Sequence, residues 1–159
     1  MSDAPRVPPG DRRDVGIPTW VFAHLAGRVA GTAPPNLFLT LGRHRRLFRG
    51  WLHFAGRLMP GGRLPRRETE LVILRVAHLA DCAYEHAHHA RLARRAGVTP
   101  AEIERLGDSH VAGWSAREAV LLEAVDELHH DRDLSDATWE RLRQHLDEPS
   151  AIELVLLVS

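Results

Sequence analysis

Apolar residues recur along this chain at intervals of three and four, the period of a helix face, and strand-like alternation is absent. Thr19 to Ala30 reads as a short helix behind Pro18. Pro34-Pro35-Asn36 restarts the chain. From Leu37 to Met59 the positions Leu37, Leu41, Leu47, Trp51, Phe54 and Leu58 keep helical spacing. Gly42, Gly50 and Gly56 interrupt that segment, each weakening a helix by up to about 1 kcal/mol relative to alanine. Gly61-Gly62 ends it. Pro65 suits a first helical turn. Arg66 to Ala80 is then apolar on most sides, through Leu71, Val72, Ile73, Leu74, Val76, Ala77 and Leu79, which predicts a central helix. Cys82 to Ala96 follows, with Gly97 at a C-terminal cap position.

Downstream, the helix starts carry their own signals. Thr99-Pro100-Ala101-Glu102, Ser115-Ala116-Arg117-Glu118 and Ser150-Ala151-Ile152-Glu153 each read as a capping box, and Ser135 starts a helix running through Trp139 to Leu146. The fold class is therefore all-α. Residues 1–18, with Pro5, Pro8, Pro9, Gly10 and Pro18, are expected to form a disordered arm, and residues 19–159 a single helical domain. The apolar stretch Ile152 to Val158 is expected either to be covered by a partner subunit or to continue into a longer chain.

Composition narrows the function classes. Lys+Arg and Asp+Glu both number 21 in a chain of 159 residues, so no general attraction to nucleic acid or anionic lipid is expected. The basic run Gly42 to Arg49 is expected to be a solvated helix face or a subunit contact. Every one of the strongly basic residues is arginine, which excludes Schiff-base lysine chemistry. No apolar run approaches the roughly 18 residues of a membrane span, and no signal-peptide pattern opens the chain, so a cytoplasmic protein is expected. Cys82 stands alone, so no intrachain disulfide can form.

The candidate chemistry lies in Asp81-Cys82-Ala83-Tyr84-Glu85-His86-Ala87-His88-His89. Cys82, Glu85 and His89 fall at i, i+3 and i+7 and share a helix face. If residues 66–96 formed one rod, Glu70 would lie roughly 18 Å from Cys82 at 1.5 Å per residue. A break with Asp81 as N-cap instead folds the chain back and lets Glu70 approach the same face. That break also sets Cys82 at the positive end of a helix dipole, with Glu85 as an opposing charge. Glu70, Cys82, Glu85 and His89 are the expected site, with Tyr84, His86 and His78 as additional candidates. His88 is expected to face away from the row, and His129-His130 to be surface. Glu85 and His89 at i, i+4, with Cys82 or His86 nearby, have metal-ligand chemistry. However, the HExxH spacing is absent and no second Cys/His pair exists, so neither metal nor cofactor is expected.

Three segments together resemble the carboxymuconolactone decarboxylase/alkyl hydroperoxidase D-like superfamily: Arg67 to Ala77, Cys82 to His89 and Ala93 to Ile103. The resemblance covers about residues 64 to 106. It implies an all-α helical bundle that associates as a homo-oligomer, a trimer or hexamer, and a small-molecule substrate. In the peroxidase branch a Glu precedes a Cys-x-x-Cys-x-x-x-His helix. Glu70 matches that Glu, Cys82 the first Cys and His89 the His, whereas Glu85 stands where the second Cys would be. The redox disulfide of that branch therefore cannot form here.

Three functions follow as expectations. The first is acid–base catalysis on a small organic molecule, by decarboxylation or proton transfer, with His89 as general acid/base, Glu85 as its partner and Glu70 as orienting group. This pair would work near neutral pH if burial raised the Glu85 pKa. The second is a one-cysteine hydroperoxidase in which Cys82 becomes a sulfenic acid and an outside thiol resolves it. The third is a binding or assembly protein that kept the scaffold without catalysis.

Overall fold

The computed structural model describes residues 5–108 and 113–159, and among them every regular element is helical. In chain order these are α1 (Arg12–Val15), α2 (Ile17–Ala30), α3 (Asn36–Leu41), α4 (Arg45–Leu58), α5 (Arg66–Leu79), α6 (Ala83–Arg95), α7 (Pro100–Arg105), α8 (Ala116–His130), α9 (Asp136–Arg143) and α10 (Glu148–Val158). They fall into two compact units, residues 1–56 and residues 57–159. From the sequence alone the boundary is expected at residue 18.

In the N-terminal unit, residues 11–18 are not the structureless arm expected from their prolines. Asp11 caps α1 with a full capping box closed by Asp14, and α2 begins at Ile17 with Pro18 in its first turn. The unit closes around aromatic rings. Phe38 sits 5.3 Å from Phe22 and 6.0 Å from both Phe48 and Trp51, within the range of favourable ring contacts. The helix expected from Leu37 to Met59 is two helices, α3 and α4, parted at Gly42. A Cβ at Gly42 would lie 2.7 Å from the Phe38 carbonyl oxygen and 2.8 Å from Thr19 Cγ2, so only glycine permits this close approach.

The C-terminal unit is built on α5, which buries residues on most of its circumference, as its apolar pattern predicts. Val72 joins Val120, Leu121, Val125, Leu142 and Leu154 in one core cluster. Leu71 and Leu74 join Ala90, Ala93, Ile103 and Leu122 in the other. α5 thus contributes to two apolar clusters, one shared with α8, α9 and α10 and the other with α6, α7 and Leu122 of α8.

Helix ends in this unit are tied together by charge. Glu102 and Glu118 each close a capping box, and both also receive Arg67 of α5, at 2.5 and 2.8 Å. Arg67 additionally donates to the Gly97 carbonyl beyond the end of α6, so one guanidinium clasps three helix termini. The box expected at Ser150 does not form. α10 starts earlier, with Asp147 as N-cap accepting from Ser150 and Pro149 in the first turn, where its missing N–H costs nothing. Glu153 instead accepts from the backbone N–H groups of Arg63 and Leu64, at 2.7 and 3.0 Å.

Candidate functional site

The site depends on how α5 gives way to α6. Asp81 N–H donates to the His78 carbonyl at 3.0 Å, and Cys82 N–H to the Ala77 carbonyl at 2.8 Å. These two bonds form a Schellman motif, with Asp81 in the left-handed region at φ 49. The expected break is therefore present, but its mechanics differ. Asp81 ends α5 rather than capping α6, and Cys82 is the N-cap, with no side-chain cap bond. An Asp is among the few non-glycine residues that adopt this conformation readily. α6 ends in the same way, with Val98 N–H on the Ala93 carbonyl and Gly97 at φ 87.

The reversal lays α6 against α5 and brings Glu70 to His89 across 19 residues of chain. His89 Nδ1–H donates to Glu70 Oε2 at 2.8 Å. On the other side of the ring, Nε2 lies at ion-pair distance, 3.4 Å, from Glu85 Oε2, one turn earlier on α6. The Glu70 side chain is fully buried, His89 is nearly so, and Glu85 is about one-third exposed. Arg66, one turn before Glu70, makes an ion pair with Glu70 Oε1. Its approach lacks hydrogen-bond alignment, so this buried oxygen accepts no hydrogen bond among the described residues.

The electrostatics follow from this geometry. Burial disfavours a charged His89, but the hydrogen bonds to Glu70 and then Glu85 outweigh it, and its pKa is raised to about 9. His89 is an imidazolium at neutral pH, with Nδ1–H given to Glu70 and Nε2–H facing Glu85 at ion-pair distance. The hydrogen bond from His89 pulls the Glu85 pKa down against the opposing effect of burial. The condition under which a Glu85–His89 pair would work near neutrality, a Glu85 pKa raised by burial, is therefore not met, because the hydrogen bond from His89 dominates. His88 does not face away from this row. Its ring packs edge-on to His89 with centroids 5.3 Å apart, and burial, then the charge on His89, lowers its pKa.

Of the expected residues, Glu70, Glu85 and His89 come together. Cys82 is a free, half-buried thiol at the head of the same helix. His86 is half-buried on that helix, and Tyr84 is exposed. His78 is exposed on α5, and a Cβ built at Gly107 would lie 3.5 Å from its ring. Arg66 joins the expected residues through its ion pair with Glu70, for which the i, i+4 spacing was the signal available in the sequence. Among the described residues no group of three His, Cys, Asp or Glu side chains is arranged to hold a metal ion. No helix of the described residues is long and apolar enough to cross a membrane.

A model of the carboxymuconolactone decarboxylase family matches residues 45–127. No curated protein matches the chain. Among solved structures, an uncharacterized peroxidase-related protein from Silicibacter sp. TM1040 is similar at TM-score 0.81 and 19% identity, covering 99% of this chain and 86% of that one. The alkylhydroperoxidase AhpD core of an uncharacterized peroxidase-related protein from Ralstonia eutropha JMP134 is similar at 0.79 and 18%, covering 98% and 85%. The debrominase Bmp8, as a cysteine-to-alanine variant in complex with 2,3,4-tribromopyrrole, is similar at 0.79 and 17%, covering 99% and 84%. At these identities the likeness establishes the fold, an AhpD-like helical one.

Proposed function

The chain belongs to the carboxymuconolactone decarboxylase family, and from that premise we propose that it is an enzyme acting on a small organic acid by general acid–base chemistry, with His89 as the proton donor. One observation carries the reading. His89 is held as an imidazolium between Glu70 and Glu85, with its pKa raised to about 9. Loss of CO2 from an acid with an electron sink breaks a C–C bond and leaves the electron pair as an enolate, which needs a proton. The Nε2–H of His89 supplies it, and Glu70 keeps Nδ1–H in place so that the neutral ring has one defined tautomer. Glu85, the more exposed carboxylate, then returns a proton from solvent to Nε2. Glu70 and Arg66 position the ring and do not touch substrate.

A panel of small keto and lactone acids, followed by product formation, tests this. His89→Gln is expected to cut turnover at least about a hundredfold, the usual scale for an acid–base group. An unchanged rate removes His89 from the mechanism. A second reading rests on Cys82, a free half-buried thiol at the N-cap of α6 in a fold shared with peroxidase-related proteins. There the thiolate attacks a peroxide O–O bond and an alkoxide leaves. The resulting sulfenic acid is reduced by two equivalents of an external thiol, through a mixed disulfide. Peroxide consumption lost in Cys82→Ser favours this reading, and full consumption excludes it.

A further inference from the structure

Residues 1–56 hold eight arginines and three aspartates, with no glutamate and no lysine, inside a chain whose charges cancel. Two of these arginines, Arg45 and Arg49, stand one turn apart on α4 and line an open cavity of about 400 Å³ within the N-terminal unit. Val15 and Phe48, each 1% exposed, form its floor, and Phe22 and Leu52 its walls. The volume lies within the range of small-molecule sites, about 300–1,000 Å³. No carboxylate lines the cavity. Arg45 is fixed in place, because its Nη2 donates to the Arg13 and Asp14 carbonyls at 3.2 and 3.3 Å. Asp14, whose backbone carbonyl accepts from Arg45, has its carboxylate paired with Arg43 at 3.1 Å. Arg49 forms no ion pair among the described residues.

An apolar floor beneath one anchored and one uncommitted guanidinium is a recognition pattern for an apolar tail carrying a negative head. We propose that this cavity is a second small-molecule site, distinct from the His89 centre, and that it takes an amphipathic carboxylate. The alkyl or aryl part lies against Phe22, Phe48 and Leu52, where leaving water drives binding. The carboxylate sits on Arg49, whose planar fork matches it in bidentate fashion, with Arg45 alongside. The recognising groups all belong to the N-terminal unit, so the site stands or falls independently of the proposed acid–base chemistry.

Calorimetric titration of the full chain with decanoate, and with decylamine as a chain of the same length and opposite head charge, tests the proposal. One decanoate per chain is expected to bind saturably, and decylamine not at all. Arg49→Gln is expected to weaken decanoate at least tenfold. Thr19→Phe, which fills the cavity from α2, should abolish binding, and His89→Gln should leave it unchanged. The proposal is overturned by absence of saturable binding, by equal binding of decylamine, or by an unaltered Arg49→Gln. It is overturned too if Thr19→Phe leaves decanoate binding intact, or if it dissociates a dimer in sedimentation while decanoate fails to bind, since a second copy of the chain would then be the occupant.

Discussion

A histidine between two carboxylates behaves differently from the histidine–glutamate pair that the α6 spacing alone suggests. With Glu85 as its only partner, His89 would share a proton near neutrality. With Glu70 fully buried on its other nitrogen, it holds its proton to about pH 9. Its chemical role changes accordingly, from a base that accepts to an acid that donates. Turnover is expected to stay flat through neutrality up to about pH 9, then to fall tenfold per unit as His89 deprotonates. A rate that rises between pH 6 and 9 would identify a base instead. The identity of this trio was legible in the sequence, because Glu70, Glu85 and His89 occupy the positions of a recognisable motif. Its charge state was not, since that depends on how deeply each side chain is buried and on which nitrogen meets which oxygen. The ring contact of His88 was hidden for a similar reason: half-burial against the neighbouring imidazole is a packing outcome with no signature in spacing.

Among the elements, the α5–α6 reversal decides whether a site exists at all. The sequence marked the reversal through Asp81 but assigned the wrong residue as cap, because Asp serves both as an N-cap and as an occupant of the left-handed region. Since Asp81 pays for a positive φ that glycine adopts freely, Asp81→Gly is expected to raise stability by about 0.5–1 kcal/mol in urea unfolding. Asp81→Val, β-branched and poorly suited to φ 49, is expected to lower stability by about 1–2 kcal/mol and to reduce turnover by loosening the approach of α6 to Glu70. Equal stability of the two variants would contradict the Schellman account. Elsewhere, helix existence followed from apolar periodicity and from the Thr99, Ser115 and Ser135 caps. Boundaries failed where a better signal lay close by: Asp147 with Pro149 outcompeted Ser150, and crowding at Gly42 split one expected helix into α3 and α4.

Across the whole molecule, the same imidazolium links the site to folding. A histidine whose pKa rises from 6.5 to about 9 on folding adds stability that is complete below pH 6.5 and is lost as pH rises through 9. At about 1.4 kcal/mol per unit, and with His89 nearly buried, the loss amounts to roughly 3 kcal/mol. Urea unfolding of the native chain between pH 6.5 and 9.5 is expected to show this decline, and His89→Gln to flatten it. Glu85 acts in the opposite window: its lowered pKa adds stability above the ordinary carboxylate range that is lost as pH falls. The helical fold and the family were open to sequence reasoning because periodicity, caps and one compact motif carry them. The division at residue 56 was not, because it rests on which segments pack together in three dimensions. The most direct test of the central claim is an NMR titration of the His89 imidazole, assigned by its absence in His89→Gln. A midpoint near pH 9, with both ring nitrogens protonated at pH 7, is the expected result. A midpoint at or below 6.5 would contradict the account.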